Sequence, residues 1–159
     1  MTAKELMIGD LVRVNKDVSI KKDIIVKIHA IDADRNFQEL KGCATCVPIN
    51  DPDGFSGGVW LNYLSPIPLT SELLEEKGFE RVPQPGCSNP YHWMLEKYEE
   101  ESEGLLYRIK AYKTPFHGMY VSIDNYADCE TINFGKQIEH VHELQHAFRL
   151  CGIGIDLQS

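Results

Sequence analysis

Pro66 and Pro68 divide this chain more firmly than any other feature of it. In Ser65-Pro66-Ile67-Pro68-Leu69-Thr70 two backbone angles are fixed and two N–H donors are missing. That excludes a continuous helix or central strand and enforces an extended connection. The parts before and after it are therefore expected to be organised separately, residues 1–65 as one small domain and 66–159 as another. With 159 residues the chain is long enough for two small cores.

Before the prolines, apolar residues recur with the period of a strand. Leu6-Met7-Ile8-Gly9-Asp10-Leu11-Val12-Arg13-Val14 has a turn at Gly9-Asp10 and then alternates. Asp23 to Ile31 alternates again, with Ile24, Val26, Ile28 and Ala30 on one face and Ile25, Lys27, His29 and Ile31 on the other. His29 thereby reads as a strand-surface residue. Phe37-Gln38-Glu39-Leu40 is a weaker strand. Val59-Trp60-Leu61-Asn62-Tyr63-Leu64 is a clear one, preceded by the glycine-rich loop Gly54–Gly58. Several short strands in about sixty residues predict a small SH3-like β-barrel. The loop from Asp51 to Gly58 lacks the Gly-Lys-Ser/Thr ending of a phosphate loop, and its two aspartates do not continue into a calcium loop.

After the prolines, Thr70 or Ser71 caps a short helix over Glu72–Lys77, ended by Gly78. Residues 82–92 read as a loop rich in Pro and Gly, and His92 and His117 fall beside Pro90 and Pro115 in expected loops. Strands are expected over Trp93–Tyr98, Leu105–Tyr112, Met119–Ile123 and Cys129–Phe134, with an acidic turn at 99–104. A second amphipathic helix follows. The predicted class is α+β, a small barrel followed by an antiparallel sheet packed with two helices.

The terminal helix carries the one catalytic pattern. Ile138, Val141, Leu144, Phe148 and Cys151 form an apolar stripe at about 100° per residue, and Gly152 suits a left-handed helix end. The opposite side spells His142-Glu143-Leu144-Gln145-His146, the His-Glu-x-x-His pattern of zinc metallopeptidases. There His142 and His146, one turn apart, would share a zinc, and Glu143 would act as general base on zinc-bound water. A third ligand is not supplied by spacing. Asp156 is the one downstream oxygen ligand, and Glu139, His117, Cys43 and Cys46 are upstream choices. The competing reading is a polar helix face turned to solvent. It is favoured because the helix opposes its histidines to its core stripe, and because short motifs count only in the right structural context.

Five cysteines in a chain without a recognisable secretion signal favour reduced thiols. Cys43-Ala-Thr-Cys46 could supply half of a structural zinc site with His142 and His146, or two thiols without a role. A net charge of −8, with Lys21-Lys22 as the only basic cluster, argues against nucleic acid or an anionic membrane as partner. No apolar run is long enough to span a bilayer, and the expected location is cytoplasmic.

Pro66-Ile67-Pro68-Leu69-Thr70, Leu73-Leu74, Gly78-Phe79 and Val141-His142-x-Leu144-Gln145, with the Ile8-Gly9-Asp10 opening, resemble a group of uncharacterised small proteins from Bacteroidetes, their phages and mobile elements. In that group the terminal helix commonly reads Val-His-Gln-Leu-Gln-Asn. The resemblance thus implies no zinc motif at these positions, and no established activity, substrate or cofactor carries over from it. The sequence expectation is a non-enzymatic module that binds a protein or small ligand, with Trp60, Tyr63 and the Gly54–Gly58 loop as candidates. A zinc hydrolase built on His142, Glu143 and His146 is the alternative.

Overall fold

The computed structural model describes residues 1–51, 56–83, 91–98, 105–113, 119–126, 130–135 and 137–153. The protein is mostly β. It separates into two compact units, Met1–Pro68 with His140–Ser159, and Leu69–Glu139. Each contains one five-stranded antiparallel sheet.

The first sheet holds β1 (Leu11–Val14), β2 (Ile25–Phe37), β3 (Leu40–Pro48), β4 (Gly57–Trp60) and β5 (Leu64–Ser65), in the order β4-β3-β2-β1-β5. A 3₁₀ turn, Ala3–Glu5, precedes β1, and a second, Leu61–Tyr63, separates β4 from β5. Strand alternation puts Val12, Val14, Val26, Ile28, Ala44, Cys46, Val59 and Leu64 into one core. A register shift between Ile28 and Ala30 turns Ala30 outward, so the expected alternation ends there. A second shift sets three residues, 33–35, against Gly42. Gly42 has φ +69°, and a Cβ there would lie 2.5 Å from Leu61 Cδ1, so only glycine lets the second 3₁₀ turn pack this close. Among the described residues the sheet does not close into a barrel: β4 pairs with β3 alone and β5 with β1 alone. Of the expected strand Phe37–Leu40, Phe37 ends β2 and Leu40 begins β3, paired with each other, and Gln38-Glu39 between them is the hairpin turn, with Gln38 at φ +56°. The expected strand Val59–Leu64 is interrupted by the second 3₁₀ turn.

The second unit begins with α1 (Ser71–Glu76), where the Thr70 hydroxyl accepts the Leu73 N–H at 3.2 Å. Gly78, at φ +84°, ends it. The sheet runs β10-β9-β8-β7-β6, built from β6 (Glu80–Pro83), β7 (Tyr91–Tyr98), β8 (Leu105–Lys113), β9 (Met119–Asn125) and β10 (Glu130–Asn133). Trp93, Ile109, Ala111, Val121 and Ile123 are buried on one face. The Trp93 indole donates to Glu75 at 3.0 Å and ties α1 to β7. Arg108 with Glu96 and Lys110 with Asp124 pair across strands on the other face, where such exposed pairs contribute little each. Of the stretch expected as a loop over 82–92, Val82 and Pro83 lie in β6 and Tyr91 and His92 in β7, with Val82 opposite His92, while 84–90 lie outside the described residues. His92 therefore sits in a strand, stacked on Tyr112 at 5.2 Å. The acidic turn, His117, Cys87, Cys129, Asp156, Gly54 and Phe55 lie outside the described residues.

Helix α2 spans Val141–Leu150. Its end is a Schellman motif. The Ile153 N–H donates to the Phe148 carbonyl at 2.9 Å, the Gly152 N–H to Arg149 at 3.1 Å, and Gly152 has φ +68°. Ile138 lies before the helix, paired with Met119 in the second unit, and Ala147 takes its place in the buried stripe. The expected boundary placed this helix with residues 66–139. It belongs to the first unit, because its polar residues bond the segment that leads into β1. No helix among the described residues is long and apolar enough to cross a membrane.

Candidate functional site

The residues of the zinc-peptidase pattern lie on α2 within the first unit. Glu143 occupies the third helical position. Its Oε2 accepts the backbone N–H of His140, the residue before the helix, at 3.1 Å. This is the carboxylate half of a capping box, which satisfies a donor at the helix start. His140 Nδ1 stands 3.5 Å from the same oxygen.

The polar face does not open to solvent as expected. His142 is only 6% exposed. Gln145 is also buried and reads the backbone on both sides of Asp10, accepting from Leu11 N–H at 2.9 Å and donating to the Gly9 carbonyl at 3.3 Å. His146 Nε2 lies 2.8 Å from Asp10 Oδ2. A carboxylate only accepts, so this nitrogen carries the proton. Arg149 Nη1 donates to Asp10 Oδ1 at 2.8 Å, and the Met7 N–H donates to Oδ2 at 2.7 Å. Asp10 itself is completely buried. A buried carboxylate needs such partners, since an unpaired one would be driven to neutralise.

Gly9 completes the interlock. Its φ is +90°, and a Cβ on it would meet Arg149 Nη2 at 3.0 Å. Gly9, Asp10 and Leu11 therefore form the receptor for one face of α2, and Gln145, His146 and Arg149 are the side chains it receives. The reading as a solvated face fails because this turn covers it. In the sequence Asp10 and Gln145 stand only as parts of a turn and of short resemblance motifs, with no role assigned to either side chain. The available signal was an acid directly before an apolar alternating strand, with a His146/Arg149 pair three residues apart on a polar helix face.

His142 and His146 are brought together, but edge to face, with ring centroids 5.7 Å apart. His142 also stacks on His140 at 5.6 Å. Its Nδ1 is buried without a hydrogen-bond partner. Burial holds the His142 imidazole below its usual pKa; Asp10 and Glu143 oppose that, and the neighbouring His146 and His140 reinforce it. Among the described residues, no group of three or more His, Cys, Asp or Glu side chains is arranged to hold a metal ion.

Cys43 and Cys46 lie on β3, where a spacing of three sends side chains to opposite faces. Cys46 is in the sheet core, and burial pushes its thiol up to about 12. Cys43 sits across from Gly58 and Trp60 on the other face. The two sulfurs thus do not form half of a shared metal site with His142 and His146.

The sequence candidates for binding are partly accessible. Arg35 lies over the Trp60 ring at 5.7 Å and Lys16 over Tyr63 at 4.5 Å. Leu61 and Asn62, between these two aromatics in sequence, line an open groove of about 590 Å³ whose walls include Met1, Ala3, Glu39, Lys41 and Gly42 but neither aromatic. Comparisons with protein-family models, curated proteins and solved structures find no match to this chain.

Proposed function

We propose that this protein is a non-enzymatic binding module whose first unit is an open, SH3-like barrel. The order β4-β3-β2-β1-β5, the long bulged β2 and the 3₁₀ turn between β4 and β5 support that fold reading. One observation carries the functional reading. Glu143 and His146, which a zinc peptidase would need for catalysis, are committed to capping α2 and holding Asp10. In the group that the sequence resembles, the positions of Glu143 and His146 carry Gln and Asn, which also supports this reading.

The groove beside Leu61 and Asn62 is the binding surface in this reading. Lys41 and Asn62 offer polar contacts over an apolar floor, which suits a protein segment or a small polar ligand. Metal analysis by mass spectrometry on untagged protein tests the reading against hydrolysis. The expected result is no stoichiometric zinc. Glu143→Gln should keep wild-type stability and Glu143→Ala should lose about 1 kcal/mol, because glutamine still caps the helix and alanine does not. One zinc per chain, absent in His142→Ala but kept in Glu143→Gln, would replace the binding reading with the hydrolase. Affinity capture with wild type and with a Lys41→Glu/Asn62→Arg variant then tests the groove. Loss of the captured partner in the variant is expected, and equal capture by both moves the surface elsewhere.

A further inference from the structure

Three imidazoles along the start of α2 form a contiguous set, His140 on His142 and His142 against His146, and His146 reaches Asp10 in the turn that leads into β1. His142 is buried between His140 and His146, and its Nδ1 has no partner. The titratable and charged groups that face it come from three elements. Asp10 comes from the turn before β1, Glu5 from the first 3₁₀ turn, and His140, Glu143 and His146 from α2 itself. Arg149 reaches the same carboxylate from the next turn of α2.

We propose that protonation of His142 releases α2 from the first sheet, so that the helix is docked while this ring is neutral and opens when it is charged. A neutral ring has one nitrogen that needs no acceptor. A charged ring turns both nitrogens into donors, and a buried Nδ1–H would have nothing to bond. Asp10, the nearest buried acid, already has three donors on its oxygens. It attracts the charge but has little remaining capacity to bond it. Opening returns the ring to water and frees Gln145, His146 and Arg149 from the Gly9–Leu11 turn.

The sign follows from the lowered proton affinity of the docked ring. The undocked state binds the proton more tightly. The docking stability is therefore fully present above the ordinary imidazole value of about 6.5. It is lost as pH falls below that, down to the lower value of the docked ring, where the loss levels off. One proton changes the opening equilibrium by at most about tenfold per pH unit.

Hydrogen exchange at the amides of Leu144–Phe148, corrected for the intrinsic pH dependence of exchange, reads this directly. Between pH 7.5 and 5.5 the opening constant of the wild type should rise several-fold, up to about tenfold. His142→Phe keeps a flat ring without a titrating nitrogen and should abolish the rise. An equal rise in that variant, or a flat profile in the wild type, overturns the proposal. If His142→Phe does not fold, a proton titration of the wild-type His142 ring by NMR decides. Its titration should coincide with shifts of the α2 amides, and titration without those shifts refutes release of the helix.

Discussion

Asp10 draws on residues that are distant in sequence. Its carboxylate meets His146 and Arg149 across 136 and 139 positions, and Met7 across three. Removing it leaves Arg149 and His146 facing a buried backbone turn. Asp10→Ala should lower stability by about 3 kcal/mol, the lower end of the range for a broken buried pair, because both partners remain partly in solvent. Chemical denaturation measures this, and a change below about 1 kcal/mol would mean the pair is no more than a surface contact. None of this was readable from the sequence. Gly9-Asp10 looked like an ordinary turn, because a turn and the receptor for a distant helix use the same residue types. The His-Glu-x-x-His spelling misled for a related reason. A glutamate at the third helical position is equally a cap, and only the backbone N–H of His140 distinguishes the two roles.

Helix ends were the most legible elements, because their chemistry is local. Gly78 and Gly152 take the left-handed conformation expected of them, at φ +84° and +68°. Gly152 has open space around its absent Cβ, so Gly152→Ala costs only the backbone conformation. The expected loss is about 1 kcal/mol in thermal or denaturant unfolding. A much larger loss would show that the end of α2 is packed rather than merely turned. The meander of β7, β8 and β9 was also legible, since its alternation is regular. Strand β3 was not. Its Cys43-Ala-Thr-Cys46 segment looked like a ligand pair, and the hairpin that feeds it turns at Gln38-Glu39, with neither Gly nor Asn to announce it. Strand β6 was hidden for the opposite reason: Pro83, in a stretch rich in Pro and Gly, suggested a loop although it lies at the end of an edge strand.

Across the whole molecule, the first unit runs through both prolines to Pro68 and takes up the chain again at His140, a path that the expected division into 1–65 and 66–159 does not contain. The first unit is discontinuous, with residues 69–139 leaving and returning at neighbouring points. Pro68 pairs with His140 in the first unit, and the Leu69 N–H donates to the Glu139 carbonyl at 2.8 Å in the second. Replacing 69–139 by a short glycine-rich link should therefore leave a cooperatively folding protein. Its near-ultraviolet dichroism would report Trp60, the one tryptophan remaining of the two. A non-cooperative melt would show that the first unit cannot stand without the insertion.

During synthesis this arrangement has a further effect. The strands of the first sheet leave the ribosome long before α2, so Asp10 waits for His146 and Arg149 through the translation of 136 and 139 residues. The second unit, by contrast, is complete in the nascent chain before the first can close. A chain cut short after residue 139 would hold the whole of its later unit, while its earlier one would still lack α2.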